Sequence, residues 1–523
     1  MKNVALTTQA FTIVLSALIQ LSPLSSQALT LVHTNDVMGE LEPCGCRSNP
    51  YGGLVRKENL LKKIPDSELL QLDAGNLLFP SLHVPEDLKK QSELQATWLL
   101  KGHQILKQNA FVPGDKDFAL GVETFKKLTQ STSIQVLSAN LVNSKNKKHL
   151  FKKSAIFRGK DPEGHSIRVG VIGAYGEHLS LPPPLQALPV IPAVTQEAQA
   201  LRPKVDILIA LTHQGYEKDE ALAKAVPQLD LIVGGNSQSF LQTPPKIRNS
   251  WILQSSFRNQ YVGVLPLRKT LKIENYQLIG LDTSYESPPD APNRMMDLIR
   301  DFKRSIAELN SSEEAKKLAH ANLSQTHSNP TFQTFTRCSE CHLKQFDFWR
   351  KTKHTLAYTV LLKADQARNK ECLSCHTVGY AVKTGWTEVD ALAEVQKPGE
   401  DKTLSLSGQK LSDYLASIHQ AADIHTQFTP PIEGAAPTTL VQSLNLVRKA
   451  WTPVQCENCH TPGGDHPFSP GYRKTVETDT CLKCHTAERA PEWYAKDGKL
   501  DPRIVQSKRE QVTCPAGELS ETR

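Results

Sequence analysis

Short apolar runs, rich in β-branched residues, recur through the first 290 positions: LTLVHTND from residue 29, LLQLDAGNLLF from residue 69, then IQVLSANLV, IRVGVIGAY, VDILIALTHQG and LDLIVGGNSQ. Each is nearly continuous and ends in polar residues or glycine, as a strand buried on both faces does. Longer stretches such as SELQATWLLKGHQILKQNA and YEKDEALAKAV lie between them and repeat at helical spacing. The alternation predicts an α/β domain over residues 29–290, with polar residues gathered just after strand ends, where such folds place sites. Residues 291–328 read as a charged amphipathic helix followed by a polar linker. From 329 to 490 the rhythm is lost, and residues 491–523 are charged without period, which predicts a disordered or surface-wrapped tail.

The N-terminus carries Lys2, an apolar stretch from Ala10 to Leu21, and a small-residue segment ending at Ala28. This is the anatomy of a signal peptide over residues 1–28, cleaved after Ala28; an uncleaved anchor is the alternative. The apolar run is shorter than the ~20 residues needed to cross a bilayer and no later run reaches that length, so no span is expected in the mature chain. The chain is expected to be periplasmic or otherwise exported. At 523 residues and 39% hydrophobic it has material for two or three domains. Its 61 basic and 54 acidic residues are spread without a basic block, which argues against a nucleic-acid partner.

Export permits disulfides, yet eight of the 11 cysteines fall into four copies of one pattern. The copies are Cys338-Ser-Glu-Cys341-His342, Cys372-Leu-Ser-Cys375-His376, Cys456-Glu-Asn-Cys459-His460 and Cys481-Leu-Lys-Cys484-His485. Two thiols two residues apart with a histidine directly after them form the attachment signature of c-type haem: thioethers hold the vinyl groups and the histidine ligates iron. Zinc sites or disulfides would leave the four histidines unexplained. Four covalent haems are therefore expected, and their propionates would offset part of the +7 formal charge. A second histidine on an iron closes it to substrate. His354, in a helical stretch, and His466, after a glycine turn, are the candidates for that role. His419 and His425 read equally well as solvated residues, which leaves at least one haem to be five-coordinate.

CSECHLKQFDFWRKTKHTLA, CLSCHTVGY, VQCENCHTPGGDH and CLKCH together resemble the cytochrome c-554 family of tetrahaem proteins over residues 329–490. That resemblance implies a mostly α-helical, loop-rich multihaem domain organised around closely packed haems.

The strand-end strings of the first domain resemble the exported metallophosphoesterases of the 5′-nucleotidase type, which implies an α/β metallophosphoesterase-like sandwich. Those enzymes hold two metal ions with H-T-N-D-x-H-G, a G-D, G-N-H-[ED], T-H-x-G and G-G-H-S-[QH]. Here the strings read His33-Thr34-Asn35-Asp36-Val37-Met38-Gly39, Asp73-Ala74-Gly75-Asn76, Gly114-Asp115-Lys116-Asp117, Thr212-His213-Gln214-Gly215 and Gly234-Gly235-Asn236-Ser237-Gln238. Asp36, His213 and Gln238 match family ligands. Met38, Asn76, Lys116 and Asn236 replace the others, including the bridging aspartate. A two-metal hydrolase needs a bridging carboxylate and nitrogen ligands to lower the pKa of its attacking water. These replacements argue against that chemistry, while one divalent ion on Asp36, Asp115 and His213 stays open.

After the first degraded loop come Glu42-Pro43-Cys44-Gly45-Cys46 and Tyr51-Gly52-Gly53. Cys44 and Cys46 are candidate catalytic or redox thiols; a local disulfide, or a bridge to Cys514, is the alternative. Three functions remain in view. The first is an electron carrier among the redox proteins of an exported chain. The second is an oxidoreductase acting at an open haem or at Cys44 and Cys46. The third is a phosphohydrolase with an appended cytochrome.

Overall fold

The computed structural model describes residues 28–43, 50–64, 69–288, 291–321, 332–339, 341–382, 385–386, 393–396, 403–406, 447–464, 466, 476–487, 489–495 and 498–515. The apolar runs of the first domain form two six-stranded sheets. One consists of β1 (Thr30–Thr34), β2 (Leu69–Asp73), β3 (Ala110–Phe111), β4 (Gln135–Val136), β13 (Tyr261–Pro266) and β14 (Gln277–Gly280), in the order β14-β13-β1-β2-β3-β4. The other consists of β6 (Ser154–Lys160), β7 (Ser166–Tyr175), β9 (Ile207–His213), β10 (Leu231–Gly235), β11 (Lys246–Ile247) and β12 (Ser250–Leu253), in the order β11-β12-β10-β9-β7-β6. A short pair, β5 (Leu141–Asn143) and β8 (Leu185–Ala187), lies apart.

Because side chains alternate along a strand, each sheet has two apolar faces to cover. Leu31, Leu70 and Leu72 of the first sheet meet Val169, Val171, Ile209, Leu211 and Val233 of the second in one shared core. The outer face of the first sheet is covered by α1 (Leu54–Leu61), α2 (Lys89–Ile105) and α3 (Val122–Gln130). That of the second is covered by α4 (Val190–Leu201) and α5 (Tyr216–Ala225). The result is a sandwich layered helix, sheet, sheet, helix.

The charged helix expected after residue 291 is α6 (Arg294–Ala321). It is more than a connector: Met295, Leu298, Ile299, Phe302 and Ile306 lie at helical spacing and are buried in the first domain's outer core. The same helix then carries the chain toward the cysteine motifs.

The C-terminal region consists of short helices and loops, with α7 (Thr334–Cys338), α8 (Leu343–Trp349), α9 (Ala357–Lys363) and α10 (Lys370–His376) around Phe335, Phe346, Trp349, Tyr358, Leu373 and Trp451. A three-stranded sheet of β15 (Ala393–Gln396), β16 (Thr403–Leu406) and β17 (Val447–Ala450) interrupts it, followed by α11 (Cys456–Cys459) and α12 (Thr478–Leu482). Of the two expectations for the stretch after residue 490, disordered or surface-wrapped, the structure overturns disorder over its described residues. That stretch folds into α13 (Pro502–Glu510), whose Asp501 caps the helix by accepting from the N–H groups of Arg503 and Ile504. Ala490, Trp493 and Val505 form a small core against Cys481 and Leu482. One buried apolar residue in a charged segment, Val505, suffices because it covers the fourth motif rather than a core of its own. No helix among the described residues is long and apolar enough to cross a membrane.

Candidate functional site

In the N-terminal domain the parallel register of β1 with β2 and of β9 with β10 brings the ends of these strands to one edge. Thr34 lies opposite Asp73 and Gly235 opposite His213, so the loops carrying Asp36, Asn76, Asp115, His213 and Asn236 converge. Asp36, Met38, Asn76, Asn236 and Gln238 all adopt left-handed backbone conformations, which non-glycine residues adopt at a cost. Gly75 is held at φ +89°, and a Cβ there would lie 2.6 Å from His213 Nδ1. The loops thus keep a demanding shape although several ligand-type side chains are gone.

Hydrogen bonds occupy the centre of this site. Asn76 Nδ2 donates to Asp36 Oδ1 at 3.2 Å, while Asn35 Nδ2 and the Asn236 backbone N–H each donate to Asp36 Oδ2 at 2.9 Å. The Lys116 backbone N–H donates to Asn76 Oδ1 at 2.9 Å. His213 lies 3.7 Å from Asp115 through Nε2 and 2.6 Å from the Ala74 carbonyl through Nδ1. Burial works against charging both partners of that pair, but their mutual attraction and hydrogen bonding outweigh it. Asp115 is held below the usual carboxylate range, with Asn76 and the Lys116 N–H also contributing, and His213 above the usual imidazole range, with Asp36 and the Ala74 carbonyl contributing. Lys116 Nζ lies 3.9 Å from Met38 Sδ.

Asp36, Asp115 and His213 are therefore brought together, and no hydrogen bond joins Gln238 to them among the described residues. Among the described residues no group of three or more His, Cys, Asp or Glu side chains converges as a metal-holding set, so these three are neighbours without sharing one point. With both oxygens of Asp36 engaged by N–H donors and an amide at the bridging position, the donor set does not fit a two-metal centre. Cys44 and Cys46 lie outside the described residues. On either side of them, Glu42 pairs with Lys303 at 3.0 Å and Tyr51 stacks on Tyr261 with ring centres 5.6 Å apart.

The four cysteine motifs sit at or just after short helices, and among the described residues none of their cysteines is joined in a disulfide. They pack in an order different from their order in the chain. Cys338 of the first contacts Cys456 of the third, Cys459 of the third lies near Cys481 of the fourth, and Cys484 of the fourth reaches the Cys375 carbonyl of the second at 3.9 Å. Glu457, inside the third motif, ties it to the start of the region: its buried carboxylate accepts the backbone N–H of Thr334 at 2.7 Å, of Gln333 at 2.9 Å and of Gly463 at 2.6 Å.

Four of the histidines lie in two facing pairs. The His342 and His466 rings are nearly parallel with centres 6.0 Å apart, and His354 faces His485 at 6.3 Å. An iron held between such a pair would take one nitrogen from each ring. Burial, then the neighbouring His485, pushes His354 down to about 4, so that it is neutral, the form that ligates. His376 Nδ1 lies 2.5 Å from the Ala357 carbonyl; donating there, it leaves Nε2 with the free lone pair. These residues fit covalent haem. Trp493, which the sequence did not single out, stacks on His485 with ring centres 4.5 Å apart and planes 11° apart. Its only sequence signal was a large aromatic eight residues beyond the last motif.

Comparison with known proteins matches these two halves separately. Residues 337–397 match the family model described as cytochrome c554 and c-prime, a match that implies haem. The N-terminal region is 31% identical over 242 residues to the protein 5NUC of Lutzomyia longipalpis, covering 42% of this chain and 40% of that protein. It is likewise 31% identical over 247 residues to the 5′-nucleotidase of Homo sapiens, covering 42% and 39%. The chain thus spans about two-fifths of the length of these curated relatives. Among solved structures, it is similar to a 5′-nucleotidase precursor from Thermus thermophilus, with 20% identity, 64% and 68% of the two chains covered, and a TM-score of 0.43. It is also similar to the calcineurin-like phosphoesterase YfkN from Bacillus subtilis, with 16% identity, 53% and 98% covered, and a TM-score of 0.44.

Proposed function

From a chain whose N-terminal region matches 5′-nucleotidases and whose C-terminal region matches a cytochrome c family, we propose an exported tetrahaem cytochrome that carries electrons and whose N-terminal domain no longer performs two-metal phosphoester hydrolysis. The observation that carries this reading is the continuous packing of four haem-attachment segments, first to third to fourth to second, with a second histidine facing the first and fourth proximal histidines. Haems attached in that order lie next to one another, which is what passing an electron from one end of the region to the other requires. When bound, each haem supplies a one-electron iron couple; the chain supplies thioether anchors, neutral imidazoles and the aromatic packing that fixes them.

The partners would be redox proteins of an exported electron-transfer chain. A haem count by mass and by pyridine haemochrome, on protein secreted by a host that matures cytochromes c, tests the reading: four haems per chain support it and fewer overturn it. The hydrolase alternative predicts phosphoesterase activity in manganese or zinc. The hydrogen-bonded state of Asp36 argues against it, and a metal-dependent turnover lost in Asp36→Asn would restore it. An oxidoreductase with substrate at iron is favoured by one observation. No second histidine ring lies against His376 among the described residues, so a carbon monoxide shift confined to one haem would support it.

A further inference from the structure

The second attachment segment differs from the other three in what holds its helix. The backbone N–H groups at the start of a helix lack partners within it. In α10, Asn369 accepts from the Glu371 N–H at 3.1 Å, and the Lys370 N–H donates at 3.2 Å to Gln91 Oε1, a side chain of α2 in the N-terminal domain. Gln91 Nε2 in turn donates to Asn369 Oδ1 at 2.7 Å. From α6, Asn310 Nδ2 donates to Gln91 Oε1 at 2.8 Å and to the Arg368 carbonyl at 2.7 Å. Gln91 and Asn310 are each 1% exposed. By contrast, the first N–H groups of α7 are held from the third motif by Glu457 and Gln455, the third motif is capped within itself by Gln455 and Asn458, and the residue before α12 makes no side-chain cap.

A buried amide network of this kind is stable in one geometry only, because displacing any member strands a polar group away from water. The second segment is also the last in the packing order and so stands at one end of the haem series. Glu371, beside Cys372, lies within electrostatic reach of Arg258, whose backbone N–H donates to the Asp36 carbonyl at 2.7 Å.

We propose that Gln91 and Asn310 are positioning residues that clamp the second attachment segment to the N-terminal domain. They make the haem on Cys372 and Cys375 the one member of the series whose redox equilibrium that domain sets. The proposal rests on the electron-carrier reading above. No bond is made or broken: an electron is shared between neighbouring irons, one becoming ferric as the next becomes ferrous, and the clamp biases only the terminal member.

The test uses the full haem-loaded chain, comparing wild type with Gln91→Leu, Gln91→Glu and the surface control Gln345→Ala. Reductive titration with dithionite is resolved into four one-electron components, haem methyl signals are assigned by paramagnetic NMR, and hydrogen exchange is followed at residues 369–376. Gln91→Leu is expected to change the reduction equilibrium of the second haem at least threefold and to speed exchange at 369–376 at least tenfold, leaving the first and third haems and residues 456–459 unmoved. Gln91→Glu keeps the acceptor oxygen for Asn310 and Lys370. It is expected to move the same haem less, and it carries the test if the leucine variant fails to fold. Gln345→Ala is expected to move neither readout. An unshifted second haem, an equal shift of all four, or a shift confined to another haem overturns the proposal. A shifted second haem in a protein that exchanges no electrons with any exported redox protein keeps the clamp and removes the carrier reading, so the two fail separately.

Discussion

Restoring the carboxylate at position 76 should harm this protein unless a metal is supplied. In Asn76→Asp the side chain keeps its acceptor for the Lys116 N–H but turns a second oxygen toward Asp36 Oδ1, where Asn76 Nδ2 now donates at 3.2 Å. Two unit charges at that distance and an effective dielectric near 20 repel by about 5 kcal/mol, and the lost charge-assisted hydrogen bond adds to this. Relaxation and partial protonation will recover some of it, leaving a net destabilisation of about 3 kcal/mol. For a domain of this size that lowers the transition temperature by roughly 6–12 °C. The measurement is calorimetry of the full haem-loaded chain in EDTA, following the N-terminal transition. In manganese the variant should regain stability that the wild type does not, because a dication between the two carboxylates replaces the missing N–H. A variant as stable as wild type in EDTA would refute the claim that an amide has taken over the role of the ion.

Replacing Glu457 by Ala leaves the N–H groups of Gln333, Thr334 and Gly463 without their buried acceptor and is expected to cost ~3 kcal/mol, seen as a loss of haem-loaded protein and a lower transition temperature. Trp493→Ala removes the face on which His485 stacks; one low-spin signal in the electron paramagnetic resonance spectrum should broaden or shift while the rest stay fixed. Burial, with the Lys57 charge beside them, holds His33 and His103 down to about 3, against 6.5 when unfolded. Between those values the unfolded chain binds the extra protons, so each histidine withdraws about 1.4 kcal/mol of stability per unit as pH falls below 6.5. The penalty of His103→Gln should therefore shrink from pH 7 to pH 5 in denaturant titrations. Taking the difference cancels the buried carboxyls Asp73 and Asp219, which are pushed up to about 7 and act in the opposite sense.

The strands were legible because their runs are long and apolar, and the cysteine motifs because thioether chemistry fixes spacing within five residues. Asp36, Asp115 and His213 could be named from their strand-end strings, and the parallel register does gather them. Their state could not be named. That Asn76 donates to Asp36, and that His213 pairs with Asp115, depends on loops far apart in the chain reaching one point. Likewise His354 and His466 stood out by their helical and glycine-turn settings, but His354 lies two motifs away from His485, and nothing local tells which iron it would face. The helix after residue 500 was missed because its apolar residues, Ile504 and Val505, are adjacent and show no helical repeat; the signal available was Asp501-Pro502, a capping pair. The clamp on the second segment had no signal at all, since Gln91 and Asn310 sit in helices where an amide more often faces water.

The packing order of the attachment segments has a consequence for how the chain matures. In an exported chain of the kind proposed, the second segment would leave the translocation machinery long before the fourth, yet the fourth is its neighbour, and the first would wait for the third across a long intervening stretch. Every neighbour relation but that of the third and fourth spans a motif in between, and loop closure over such distances is slow. On the proposed reading, haem attachment would meet each motif while it is still extended, and the region would close only after its last cysteine had emerged. A premature stop anywhere before residue 485 would leave behind exposed, partly haemylated chain rather than a shorter cytochrome.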